Sequence, residues 1–185
     1  MRNAVNDKIY TVEEYIQYEL KSDRRHEFIN GQLFEMPGEK DINNQMAGLI
    51  YILLIQFLKS KGYQIYNHDV KVAIPDGRKF YYPDVFATKE EKSPDNQYIK
   101  YKPEIIVEVV SESTQVTDYV DKYIDYIKIA SLRYYIIIEP ETVLVTVYEK
   151  DETGNWFARK YTNINDAVKL EKLQTEFLVK DIYSA

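Results

Sequence analysis

Two acidic residues lie within apolar stretches of the sequence, where a carboxylate is unusual. Asp84 follows Pro83 in YYPDVFAT, and Glu108 interrupts the Ile/Val run of PEIIVEVV. A buried carboxylate is costly unless it is paired, hydrogen-bonded or bound to a metal. If the two stretches form adjacent strands, both carboxylates can bind one divalent ion, which would polarise a phosphodiester and lower the pKa of a bound water. The pair therefore indicates metal-assisted phosphodiester hydrolysis, with a structural salt bridge at Glu108 as the alternative.

Lys122 is a third residue that could take part in such chemistry, and the sequence predicts a helix around it. Asp118, Lys122 and Tyr126 are spaced i, i+4 and i+8 in a helix predicted over residues 118–129, so they share one helix face. A cation on that face could stabilise the negative charge that develops on a phosphate during hydrolysis. The alternative is an exposed ion pair between Asp118 and Lys122, which is the usual role of an acid and a base at this spacing.

The composition limits the metals that such a site could bind. The chain has no cysteine and only two histidines, His26 and His68, which excludes thiolate sites, disulfides and histidine-rich sites. A metal held mainly by oxygen atoms is a hard ion such as Mg²⁺ or Mn²⁺. The net charge of −6 argues against non-specific coating of nucleic acid, which requires a broad basic surface, but it is compatible with a local basic groove.

The remaining pattern predicts the elements that would position these residues. A helix with a capping box is predicted from Thr11 to Leu20, then a hairpin around Asn30-Gly31 and an amphipathic helix from Asn43 to Lys59. The predicted strands are YQIYNHDVKVAI, YYPDVFAT, PEIIVEVV and YYIIIEP, followed by a hairpin of TVLVTVYEK and NWFARKYT. Because helices flank two nearly continuous apolar strands, we expect one α/β (α+β) domain over residues 1–185, built around a mixed sheet.

The first residues of the chain bear on where the protein acts. The N-terminal stretch is polar and acidic, without the apolar core of a signal peptide, and the sequence has no apolar run of about twenty residues. We therefore expect a cytoplasmic protein with no membrane partner.

The order of these motifs resembles a known family. Pro83-Asp84 and the later stretch from Glu108 to Val110 resemble the PD-(D/E)xK nuclease superfamily. The continuation, SEST at residues 111–114 with Asp118, Lys122 and Tyr126, and then RYYIIIEP at residues 133–140, resembles the Uma-two family of restriction endonuclease-like proteins. In the plain superfamily motif a lysine stands two places after the glutamate, where this chain has Val110. The resemblance implies that Lys122, on the following helix, takes its role.

The resemblance implies a restriction endonuclease-like fold, with a central mixed β-sheet flanked by helices, and a Mg²⁺- or Mn²⁺-dependent endonuclease that hydrolyses phosphodiester bonds in DNA. Its implied catalytic residues are Asp84, Glu108 and Lys122, and its implied metal ligands are Asp84, Glu108, the carbonyl of Val109 and Glu27 of HEFINGQL. Asp118 and Tyr126 are implied to support Lys122 and Glu108. A homodimer is also implied, because nucleases of this fold often cut two strands with two subunits.

One departure from the family leaves other functions open. Many relatives carry a histidine after Met36-Pro37, where this chain has Asn43 or Asn44. If that histidine takes part in catalysis, the chain is instead a catalytically inactive nuclease-fold protein that binds nucleic acid or dimerises. A phosphodiesterase that acts on a small nucleotide is a third interpretation, because its site would use the same chemistry.

Overall fold

The structure, a computed structural model, describes residues 4–36, 38, 40–94, 97–110 and 116–183. The SEST motif at residues 111–114 and Pro37 lie outside these ranges. The described helices are α1 (Val12–Glu19), α2 (Asp41–Leu58), α3 (Tyr123–Tyr126) and α4 (Lys180–Tyr183), and a π-helical turn (Thr117–Lys122) precedes α3. No helix in the described ranges is both long enough and apolar enough to span a membrane.

The described strands run from β1 to β13 in chain order. They are β1 (His26–Ile29), β2 (Gln32–Glu35), β3 (Gln64–Asn67), β4 (Lys71–Ala73), β5 (Lys79–Tyr81), β6 (Val85–Thr88), β7 (Ile99–Lys100), β8 (Pro103–Val109), β9 (Tyr134–Glu139), β10 (Leu144–Lys150), β11 (Trp156–Tyr161), β12 (Ala167–Leu170) and β13 (Thr175–Leu178). Over the described residues they form a five-stranded sheet in the order β2-β1-β5-β4-β7, a six-stranded sheet in the order β11-β10-β9-β8-β6-β3, and a β12-β13 hairpin.

The six-stranded sheet is covered on both faces, as the apolar sequences of its central strands predict. Strand β8 is antiparallel to β6 and parallel to β9. Because successive side chains of a strand point to opposite faces, Ile105 and Val107 pack towards α2, whereas Ile106 and Val110 pack towards the five-stranded sheet and α3. Glu108 lies on the same face of the strand as Ile106 and Val110. Its carboxylate therefore lies between the two sheets.

The N-terminal elements form as predicted. Thr11 caps α1, accepting a hydrogen bond from the backbone N–H of Glu14, and the Glu14 side chain accepts from the backbone N–H of Thr11. Asn30 and Gly31 form the two-residue turn between β1 and β2, both with positive φ, which is the geometry that this dipeptide favours. Helix α1 packs on the face of the five-stranded sheet that carries Phe28. Glu27, the next residue along β1, belongs to the opposite face.

Two stretches that were each predicted as one strand are divided between the two sheets. The stretch YQIYNHDVKVAI divides into β3 and β4, which belong to different sheets, and the break occurs at His68, whose φ is +49°. In YYPDVFAT, the chain passes from β5 in one sheet to β6 in the other through Pro83 and Asp84. Proline cannot donate a ladder hydrogen bond and a residue with positive φ cannot continue a strand. Both connections therefore pass between the sheets beside Asp84.

Candidate active site

Glu108 is buried, and two donors bind the same oxygen of its carboxylate. Its side chain is about 4% exposed. The ammonium of Lys122 and the hydroxyl of Tyr126 each donate to Oε1 over 2.9 Å. Within the described residues no hydrogen bond reaches Oε2 of this carboxylate. A strand acid is thus held by a cation and a phenol, with one oxygen left for a further ligand.

Lys122 lies among three carboxylates. Its Nζ is 2.9 Å from Oε1 of Glu108, 3.0 Å from Oδ1 of Asp118 and 3.7 Å from Oε1 of Glu27. All four side chains are buried. The Asp118–Lys122 pair comes from the π-helical turn, a winding that is frequent at functional sites. Asp118 and Lys122 therefore form the ion pair that their spacing predicted, but the pair is buried and not exposed.

The pKa of Glu108 is set mainly by its burial and only secondarily by the charges of the cluster. Burial raises that pKa from its ordinary value of 4.5 to about 7, and the charge of Asp118 adds to the increase. The ammonium of Lys122 and the hydroxyl of Tyr126 act in the opposite direction, but they do not cancel the effect of burial. Burial thus holds the pKa of the Glu108 carboxyl well above its ordinary value, and such a perturbation is typical of functional sites.

Asp84 joins this cluster through the end of β8. Its Oδ2 accepts a hydrogen bond from the backbone N–H of Val109 over 2.6 Å, and its side chain is buried. The buried hydroxyl of Tyr135 donates to the backbone carbonyl of Asp118, and its pKa is raised by burial and then by the charges of Glu108, Asp118 and Asp84. The charges of three carboxylates therefore all raise the pKa of the same tyrosine. The structure brings Asp84 to the site that contains Glu108.

The two sheets contribute different members of this set. Glu27 comes from β1 of the five-stranded sheet, Glu108 from β8 of the six-stranded sheet, and Lys122 from the π-helical turn between β8 and β9. Every residue implied by the resemblance thus lies in one buried region: Asp84, Glu108, Val109, Glu27, Lys122, Asp118 and Tyr126. Their roles remain a prediction.

The atoms of this cluster that could bind a divalent ion are all oxygen atoms. Among the described residues, no group of three His, Cys, Asp or Glu side chains is arranged to hold a metal. Mg²⁺ usually keeps several waters and takes only one or two carboxylates, so such a group is not required for it. One buried amide oxygen beside these residues, Oδ1 of Asn43, has no hydrogen-bond partner in the described chain. An all-oxygen donor set with one unsatisfied member fits a hard divalent ion.

Comparison with known proteins identifies the family. The family model Uma2, described as "Putative restriction endonuclease", matches residues 12–178. The chain belongs to the Uma2 family. Among similar proteins, "Uncharacterized protein slr1290" of Synechocystis sp. is 28% identical over 172 residues, which cover 92% of this chain and 90% of that protein. "Uncharacterized protein sll1609" of the same organism is 29% identical over 171 residues, which cover 91% and 97%.

A solved structure confirms the predicted fold class of this Uma2 chain. The crystal structure of "a putative nuclease belonging to DUF820" from Anabaena variabilis matches with a TM-score of 0.76 and 14% sequence identity, over 94% of this chain and 97% of that one. Mixed sheets flanked by helices in a restriction endonuclease-like nuclease fold are therefore shown. Both the family and the fold that the motifs predicted are confirmed.

A polar groove beside the Uma2 site was not predicted. It encloses about 550 Å³ and is lined by Arg24, Arg25, Glu35, Met36, Gly38, Asn44, His68 and Asp69. Arg24 pairs with Glu35, and Arg25 with Asp69. Nδ1 of His68 lies 3.9 Å from Oδ1 of Asp84, which connects the groove to the site. The groove residues come from three separate parts of the chain, so no local sequence signal could have identified them.

A second buried polar cluster lies on the other face of the five-stranded sheet. Glu19 of α1 accepts hydrogen bonds from the backbone N–H of His26 and from the hydroxyl of Tyr82, and Lys71 donates to the same hydroxyl. His26 is thus a hydrogen-bonded strand residue, and its ring lies 3.0 Å from Glu19. These groups satisfy one another, so the cluster secures α1 on the sheet.

Proposed function

We propose that this protein is a Mg²⁺- or Mn²⁺-dependent endonuclease that hydrolyses phosphodiester bonds in DNA. The observation that carries the proposal is the buried cluster in which Glu108, Asp118 and Glu27 surround Lys122, beside Asp84. Burying charged groups is costly, and a buried ion pair contributes little to stability by itself. Three buried acids drawn around one buried base are therefore better explained by a functional site than by the stability of the fold, and a divalent ion suits such a set of oxygen donors. Membership of a family described as restriction endonucleases supports the same conclusion.

Each residue would have a distinct part in the reaction. Asp84, Glu108 and the carbonyl of Val109 would hold the ion directly, and Glu27 of the facing sheet would contribute through a bound water, because the three carboxylates, all within the described ranges, are not arranged to hold it together. The ion would supply Lewis acidity and an activated water. Lys122 would donate to the attacking water and to the phosphate oxygen on which charge develops. Asp118, 3.0 Å from Nζ, would keep that ammonium in position. Tyr126 would orient the Glu108 carboxylate by its hydrogen bond to Oε1.

Mn²⁺ titration of the wild type and of Asp84→Asn by calorimetry tests this function. We expect the wild type to bind Mn²⁺ and Asp84→Asn to lose measurable binding, because the substitution removes a charged ligand but keeps the side-chain shape. Asp23→Asn is the control, since Asp23 is exposed. If the wild type binds no Mn²⁺, either alone or with a phosphorothioate DNA that resists cleavage, the metal-dependent function is wrong.

A second candidate function has one observation in its favour. Lys122 already forms close ion pairs with Glu108 and Asp118, so a catalytically inactive protein could keep the cluster as a structural unit. Such a protein would act as a nucleic-acid-binding or dimerisation module. Retained affinity for DNA, with no divalent-ion binding by calorimetry, would support it. Hydrolysis of mononucleotide diesters but not of DNA would instead support a small-nucleotide phosphodiesterase.

The groove suggests how DNA reaches the buried site. The site residues are almost inaccessible, whereas the groove is open and borders Asp84 through His68. Arg24, Arg25 and His68 can donate hydrogen bonds to backbone phosphates. If the protein cuts both strands of a duplex, two copies would each supply one site, and we therefore propose a homodimer.

Arg25→Gln is expected to weaken DNA binding about 3- to 10-fold and to lower the slope of log affinity against log salt by roughly one phosphate contact. Fluorescence anisotropy with EDTA present measures this without cleavage. Arg133→Gln is a matched control, because Arg133 is similarly half-exposed and forms one ion pair, with Glu104. Equal effects of the two substitutions would rule out the groove as the DNA path.

A further inference from the structure

Asn43 has a buried oxygen that the fold does not use. The residue lies in the first turn of α2 and is about 3% exposed. Its Nδ2 donates to the carbonyl oxygen of Val109 over 3.4 Å, and its Oδ1 has no hydrogen-bond partner within the described chain. A buried polar atom without a partner costs about 1–3 kcal/mol, so native proteins rarely keep one without a reason.

The backbone of Val109 connects Asn43 to the candidate metal site. Its carbonyl accepts from Asn43, and its N–H donates to Asp84. Val109 also directly follows Glu108 on β8. The unused oxygen of Asn43 is therefore beside the end of the strand from which the proposed ligands come. Helix α2 packs on one face of the six-stranded sheet, whereas Glu108 points to the other face. Asn43 therefore approaches the candidate site at the end of β8.

We propose that Oδ1 of Asn43 is an additional ligand of the divalent ion, an inference that rests on the proposed function. Amide oxygens are hard, neutral donors that suit Mg²⁺ and Mn²⁺. A neutral ligand adds a donor without adding charge to a site that already has several carboxylates. The ion would satisfy an atom that the folded chain leaves unpaired.

Two substitutions separate a ligand from a structural residue. Asn43→Leu keeps the approximate volume and removes both polar atoms, whereas Asn43→Asp keeps an oxygen and removes the N–H donor. If Oδ1 is a ligand, Asn43→Leu should weaken Mn²⁺ binding about 10- to 100-fold, and Asn43→Asp should bind at least as tightly as the wild type. Gln45→Leu, on the exposed side of the same helical turn, is the matched control and should bind normally.

Thermal unfolding provides a readout that does not depend on activity. In EDTA, Asn43→Leu should change the melting temperature little, because the loss of the long bond from Nδ2 to the Val109 carbonyl is offset by the removal of an unsatisfied buried oxygen. With excess Mn²⁺, the wild type and Asn43→Asp should gain melting temperature and Asn43→Leu should gain little, since binding to the native state alone raises stability.

The outcomes distinguish this inference from the function on which it rests. Wild-type Mn²⁺ affinity in a folded Asn43→Leu protein would overturn the ligand role but leave the proposed function intact. Weakened binding in both Asn43→Leu and Asn43→Asp would overturn it as well, because the N–H donor would then be the important group. If Asn43→Leu does not fold, Asn43→Asp alone decides between the two. Absence of Mn²⁺ binding in the wild type would instead contradict the proposed function.

Discussion

Lys122→Met is expected to destabilise the protein by about 3–5 kcal/mol and to abolish DNA cleavage. The substitution removes the ammonium that lies 2.9 Å from Glu108, 3.0 Å from Asp118 and 3.7 Å from Glu27. Removing one partner of a buried ion pair leaves uncompensated charge, which is the reason for the large effect. Because burial raises the pKa of Glu108, its carboxyl can take up a proton when the ammonium is lost, and the loss of stability should be larger at pH 8 than at pH 5. Urea denaturation at both pH values measures it.

A lysine with an exposed ion pair is the control for this prediction. Lys128 pairs with Asp125 over 2.8 Å but is about half exposed, so Lys128→Met should cost less than about 1 kcal/mol. The double variant Lys122→Met/Glu108→Gln should recover part of the stability lost in the single variant, since one unpaired charge has been removed. Equal costs for Lys122→Met and Lys128→Met would show that the cluster is not coupled as its distances indicate.

Glu108→Gln is expected to stabilise the fold while it abolishes Mn²⁺ binding and cleavage. Burial raises the pKa of Glu108 from 4.5 to about 7. Between these values the folded protein binds a proton that the unfolded chain does not, so the free energy of unfolding falls as the pH rises through this window. Glutamine cannot ionise and avoids that loss. The gain should be on the order of 2 kcal/mol at pH 8 and close to zero near pH 4.5.

Denaturation of the wild type and Glu108→Gln from pH 4.5 to 8 tests the expected sign. Glu176→Gln, at an exposed position of β13, should follow the wild type throughout. A gain that is equal at all pH values would contradict the role of the Glu108 charge. Loss of stability at pH 8 would mean that the bonds from Lys122 and Tyr126 outweigh the cost of burying the carboxylate.

The features that the sequence predicted correctly were those with a local signal. A glutamate in an Ile/Val run of seven strand residues requires a partner, and the capping box and the Asn-Gly turn fix their own geometry. The i, i+4 spacing likewise predicted the contact between Asp118 and Lys122. Family resemblance supplied Glu27, whose approach to Lys122 depends on the packing of one sheet against the other.

The features that the sequence did not predict depend on long-range packing. His68 adopts a positive φ that separates β3 from β4, although its neighbours have the composition of a continuous strand. The β12-β13 hairpin and α4 pack against the same core as α2, through Val168, Phe177 and Ile182, and this contact joins parts of the chain that are far apart in sequence. The unsatisfied oxygen of Asn43 was also not predicted. A helix pattern does not show which polar residue of the first turn becomes buried.

The two connections between the sheets have a consequence for folding kinetics. Glu27 belongs to one sheet and Glu108 to the other, and Asp84 lies on a segment that passes between them. Contacts between such distant parts of a chain form slowly, and the carboxylates meet only after the sheets have docked. A divalent ion that needs this complete site cannot stabilise an earlier transition state. We therefore expect the ion to leave the refolding rate almost unchanged and to act by slowing the unfolding rate.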